Sequence, residues 1–167
     1  MSSKNALSKK NIPLKRSLSR LACVQALYEI DLSDNDPKKI IDTYLLTYSK
    51  LISSAKKEKN IEDAVNLDRM DIIFFNNLIR GVIDDIVQID LLIEKNLTEQ
   101  WPMNRLQVIV KSILRCGIAE LLLFNKTPSN VIITEYLEIA NAYYHGNEVK
   151  LINAMLDKVS QLIRKNK

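Results

Sequence analysis

The 167-residue sequence predicts an all-α fold. Three observations carry that expectation. Glycine and proline are scarce, with 3 and 4 residues, and sheets need the turns that those residues make. No segment of useful length alternates with the two-residue period of a strand. Apolar residues recur instead at three- and four-residue spacings along most of the chain. That pattern gives roughly six to eight helices. Phe75, Leu78, Leu114, Leu121 and Leu156 fall on their core faces.

Residues 1–14 hold scattered Lys and Asn with Pro13, which argues for a flexible basic arm before a single helical domain over 15–167. The first helix starts at Ser17, with Leu18, Leu21, Val24, Leu27 and Tyr28 on one stripe. Asp36-Pro37 is a start signal, an N-cap acid before a proline at the first helical position. That helix runs to about Ser53 and meets a polar, linker-like stretch from Ser53 to Asn60. Asp68, with Asp71 three residues on, marks another N-terminus. The following run through Ile72, Ile73, Phe74, Phe75, Leu78, Ile79, Val82 and Ile83 is apolar nearly all round and should be central. The pattern continues through Ile93 with a break near Val87. A turn spans Thr98 to Pro102. A second central helix runs from Leu106 to Leu122, and Lys126-Thr127-Pro128 breaks it. Val131 to Tyr144 forms a helix ended by His145-Gly146-Asn147. The last helix has the cleanest period, in Ile152, Met155, Leu156, Val159, Leu162 and Ile163.

The composition narrows the function. Apolar residues make up 47% of the chain, ordinary for a globular protein. No apolar run approaches the ~18 residues of a membrane span, and the start lacks the apolar segment of a secretory signal. Cys23 and Cys116 sit in apolar helical patterns and read as buried reduced thiols, which fits a cytoplasmic protein. No Cys-x-x-Cys or His-x-x-x-His spacing offers a metal site. Gly81, Gly117 and Gly146 are isolated, so no loop cradles a phosphate. The one histidine, His145, lies in a predicted loop. No catalytic constellation can be built, and neither enzyme activity nor a cofactor is expected.

The charge distribution is more informative. The first 28 residues carry Lys4, Lys9, Lys10, Lys15, Arg16 and Arg20, and no acid. The last four add Arg164, Lys165 and Lys167. Between Leu21 and Ile163, 15 basic residues face all 20 acids, a net of −5. The formal +4 of the chain therefore sits at its two ends, outside a mildly acidic body. A basic segment on a folded body suits a polyanion, because fixed cations displace condensed counterions from phosphates. A solvated tail is the plainer alternative.

Several phrases, in order, carry a resemblance. They are the run from Lys15 to Tyr28 (KRSLSRLACVQALY) with Asp31; Phe75, Leu78 and Gly81-Val82; and Ile113-Leu114-Arg115 with Glu120-Leu121. Pro128, Val131, Ile133, Glu135, Glu138, Ile139 and Ala140 follow, then Lys150, Asn153 and Leu156-Asp157-Lys158. Together they resemble the NusB family of bacterial transcription antitermination proteins. The resemblance implies two packed helical subdomains. It also implies binding to the boxA element of nascent ribosomal RNA transcripts, paired with the ribosomal protein NusE. That pair acts in the antitermination complex of RNA polymerase.

Single-stranded RNA is held by cations on phosphates and by stacking on splayed bases. Arg16 and Arg20 are four residues apart, on one face of the first helix, and both match family arginines. Lys15 adjoins them, and Lys150 matches a family basic residue at the start of the last helix. Tyr143 and Tyr144 have two readings, stacking on bases or packing at a helix end. Tyr28 matches a family tyrosine and is the candidate contact to NusE, with a core role as its alternative. The chain departs from the family at Val110, where an acid is common, at Ala119, where a tyrosine is, and at Leu151, where an aromatic is. The Val110 departure would weaken a polar contact to the partner. A related domain begins some ribosomal RNA cytosine methyltransferases, but that reading needs a following catalytic domain, which these 167 residues leave no room for. The class-distinct rival is a helical protein-interaction module with no RNA role.

Overall fold

The structure, a computed structural model, describes residues 4–57 and 70–165. Seven α-helices and one short 3-10 turn make up the regular structure among them, without a strand. The helices are α1 (Lys4–Leu32), α2 (Pro37–Lys57), α3 (Ile72–Asp84), α4 (Ile86–Asn96), α5 (Val108–Leu123), α6 (Ser129–Tyr143) and α7 (Asn147–Lys165), with the 3-10 turn at Met103–Arg105. The chain divides into two compact units, residues 1–77 and 78–167.

In the first unit α1 packs on α2. Cys23, Val24, Ala26 and Leu27 of α1, Ile40 and Ile41 of α2, and Phe74 and Phe75 of α3 are buried. The Tyr44 ring stacks on Phe75 with centroids 6.3 Å apart. α1 begins at Lys4, well before the Ser17 start that its apolar stripe predicts. The upstream residues include Ala6, Leu7 and several lysines, which propagate a helix at little cost once a packed segment has nucleated it. Pro13 lies inside the helix, where it removes one N–H from the ladder. α2 begins as expected: Asp36 Oδ1 accepts the Lys38 N–H at 3.0 Å, and the helix runs on to Lys57.

Asp68, expected to start α3, lies outside the described residues. The helix starts at Ile72, and its cap is Asp71, whose Oδ1 accepts the Phe74 N–H at 2.9 Å. Nor is α3 buried all round. Ile72 and Ile73 are exposed, whereas Phe74, Phe75, Leu78, Ile79 and Val82 are buried. At about 100° per residue those five share one arc, and Ile73 falls opposite it.

In the second unit α5, α6 and α7 pack on one another, and α4 packs on α5 and α7. α5 is the central element, with every residue from Ser112 to Leu121 buried. Gly117 is what allows that density. A Cβ there would stand 2.8 Å from Leu156 Cδ2 and 3.4 Å from the Tyr136 ring. Leu114, Leu121 and Leu156 are buried as predicted. The break before α4 falls at Asp85 rather than Val87, and Val87 is an exposed residue of that helix. α6 starts two residues earlier than predicted, at Ser129 after the Pro128 turn, and ends at Tyr143. The link to α7 passes through Gly146 with φ 143°, in the left-handed region that favours glycine.

Polar groups fix the register of this unit. The Tyr136 hydroxyl donates to Glu120 Oε2 at 2.9 Å in full burial. Arg115 forks onto Asp90, Nε to Oδ1 at 2.7 Å and one terminal nitrogen to Oδ2 at 2.8 Å. Cys23 and Cys116 are buried and are not joined in a disulfide. No helix among the described residues is long and apolar enough to cross a membrane.

Candidate nucleic-acid interface

The basic segment of α1 is held in place by the residue that caps α3. Ser19 Oγ lies 3.0 Å from the Lys15 carbonyl and 2.9 Å from the Asp71 carbonyl, within donating distance of both. The Asp71 N–H donates to the Lys15 carbonyl at 3.4 Å. Asp71 Oδ2 stands 3.7 Å from Arg16 Nε, close enough for charge attraction but too far for a hydrogen bond. Asp71 thus starts one helix and fixes the cationic turn of another.

Arg16 and Arg20 do lie on one face, as their spacing requires, and both guanidiniums sit 5.3 Å from the centre of the Phe74 ring. Their environments differ sharply. The Arg16 side chain is 41% exposed. Its Nε is nonetheless buried and makes no hydrogen bond, so its terminal nitrogens are the part directed outward. Arg20 is only 3% exposed, which departs from the surface position that its sequence spacing suggests. Stacking on Phe74 turns this cation inward, where it braces the helix pair. Lys15 is half-buried beside Arg16.

Lys150 belongs to the second unit. It is exposed on the first turn of α7 and lines a cleft of about 490 Å³ with Thr98, Gln100, Trp101, Asn147 and Leu151. The two candidate tyrosines part company. Tyr143 is exposed, whereas the Tyr144 hydroxyl is 2.6 Å from Gln107 Oε1 and serves helix-end packing. Tyr28 is 41% exposed on α1, so it is no core residue. Val110 is 1% exposed on α5. Of the basic tail, Arg164 donates to the Thr127 carbonyl at 2.8 Å and so pins the end of α7. Trp101 is a residue that sequence reasoning alone misses. Its one signal is a lone tryptophan next to a proline in a predicted turn, where an aromatic has no helix face to pack on. No group of three His, Cys, Asp or Glu side chains among the described residues could hold a metal ion.

The sequence model of the NusB family matches residues 17–161. The chain belongs to the NusB family. The match takes in Arg20, Tyr28, Trp101 and Lys150, and begins just after Lys15 and Arg16. The transcription antitermination protein NusB of Mesorhizobium japonicum is 36% identical over 150 residues, covering 90% of this chain and 91% of that one. That of Brucella ovis is 35% identical over the same length, covering 90% and 82%. The structure of T. maritima NusB superposes with a TM-score of 0.62 at 29% identity, over 87% of this chain and 89% of that one. A crystal structure of the antitermination factors NusB and NusE in complex with dsRNA gives a TM-score of 0.64 at 21% identity, over 89% and 97%. That last likeness is one of fold.

Proposed function

We propose that this protein is an RNA-binding antitermination factor that holds boxA RNA together with the NusE ribosomal protein. Membership in the NusB family carries the reading, and the chemistry of α1 supports it. Lys15 and Arg16 present cations from a turn that Asp71 and Phe74 hold rigid. The exposed end of Arg16 can fork onto a phosphate through its terminal nitrogens. Arg20 keeps that turn in place through Phe74 and is a positioning residue. Lys150 adds a cation from the second unit. Tyr28 offers an exposed ring and hydroxyl to NusE. The reading includes no catalytic step and no cofactor.

The test is capture of labelled boxA-like RNA by the whole chain, with and without NusE, across a salt series. RNA retained at low salt, released steeply as salt rises and held more tightly with NusE supports the reading. A chain that binds NusE but no RNA under any of these conditions is the interaction module instead.

A further inference from the structure

We propose that Asp71 is a built-in brake on RNA binding: its carboxylate faces Arg16 and holds down the affinity of the α1 turn for phosphate. This rests on the RNA-binding reading and adds a residue that tunes it without touching RNA. The first 28 residues hold Lys15, Arg16 and Arg20 among their cations and no acid. The fold nevertheless brings one acid to that turn, from the start of α3. Asp71 Oδ2 stands 3.7 Å from Arg16 Nε, with the two side chains 28% and 41% exposed, so water screens the attraction only in part. A phosphate on the outward nitrogens of Arg16 shares the guanidinium with this carboxylate. It also lies within about one Debye length of it, about 10 Å at 0.1 M salt. Both effects oppose the RNA.

The contacts that Asp71 makes within the fold do not need its charge. Its N–H and carbonyl tie α3 to α1 through Lys15 and Ser19, and these are backbone groups. Its Oδ1 caps α3 at the Phe74 N–H, a task that Asn and Ser perform as well. Its contact to Arg16 is too long for a hydrogen bond, and the Phe74 ring already seats that guanidinium. The helix dipole favours an acid at this position, but that gain does not depend on Arg16. Asp90 makes the contrast. It forks onto Arg115 by bonds of 2.7 and 2.8 Å, and Arg115 is only 8% exposed. That pair is closed and structural, whereas the Asp71–Arg16 pair is loose, with its cation open to a ligand.

The test replaces the charge and keeps the cap. Whole chains carrying Asp71→Asn or Asp71→Ser are titrated with labelled single-stranded boxA-like RNA beside the parent chain, following anisotropy. Both variants should bind about 2- to 5-fold more tightly at low salt, the effect of one partly exposed charge pair. The gain should shrink as salt rises from about 0.05 to about 0.2 M, because screening shortens its reach. A change of shape alone would shift affinity alike at every salt concentration. In an Arg16→Ala chain, Asp71→Asn should give less than half the gain. Thermal melts control for folding, and the second variant stands in if one melts early. Unchanged or weaker binding in the uncharged variants would overturn the brake and leave the α1 contact standing. A gain as large without Arg16 as with it would also overturn it, since the charge would then act on the RNA without Arg16. Failure of every chain to bind RNA would overturn both the brake and the RNA-binding reading.

Discussion

The Arg20 guanidinium carbon stands 5.3 Å from the centre of the Phe74 ring, buried between α1 and the first turn of α3. Arg16 reaches the same ring from four residues upstream. Two arginines of one helix face therefore have separable roles. Arg16→Ala should leave the melting temperature nearly unchanged and flatten the salt slope of RNA binding by about 0.7 for each phosphate that the arginine neutralises. Arg20→Ala should cost about 1–2 kcal/mol of stability, the range of a desolvated cation over an aromatic ring. Melting curves and salt titrations of the two single variants check this. Equal slopes in Arg16→Ala and the parent chain would remove Arg16 from the interface.

Tyr28 is the second test. Because its ring is exposed, Tyr28→Ala should melt like the parent chain. It should lose affinity for NusE in a binding titration. A marked fall in melting temperature with unaltered NusE binding would return Tyr28 to the core.

The close approach of α5 to its neighbours gives a stability prediction. Gly117→Val places methyl groups against Leu156 and Tyr136, both fully buried. Overpacking of that kind costs about 1–3 kcal/mol. Denaturant unfolding should show the loss without a change in m-value.

Asp90 holds Arg115 by two charge-assisted bonds. Asp90→Ala leaves a buried guanidinium short of an acceptor. The expected loss is about 1.5–3 kcal/mol, below the ~3–5 kcal/mol of a fully buried pair, because the Asp90 side chain is about a third exposed. Asp90→Ala with Arg115→Met should recover much of that loss, since volume is kept and no charge is stranded. Chemical denaturation of the single and double variants decides it.

The helices are legible in the sequence because periodicity and caps are local. Ile152, Met155, Leu156 and Val159 recur at helical spacing, and Asp36-Pro37 announces α2 from adjacent residues. Expectation and structure part where a distant residue decides. An Arg16–Arg20 pair reads as surface until Phe74 is placed against it, and nothing near Arg20 in the sequence says so. Ile73 reads as core in an apolar run, yet the arc chosen by Phe74, Leu78 and Val82 leaves it outside. Asp71 looks like the follower of a cap and is itself the cap. Trp101 illustrates the opposite gap, a lone aromatic in a turn that lines a cleft with Lys150 and Asn147 of another helix.

The most direct test of the account is RNA affinity measured on boxA and on a scrambled sequence, each with and without NusE. Alone, the small cationic surface should bind both RNAs weakly, in the range of about 10⁻⁴ to 10⁻⁶ M typical of sequence-independent contacts. With NusE, affinity for boxA should rise by at least about tenfold over the scrambled RNA, a gain on the order of 1.4 kcal/mol. Equal affinity for the two RNAs in the presence of NusE, or full discrimination by this chain alone, would contradict the account.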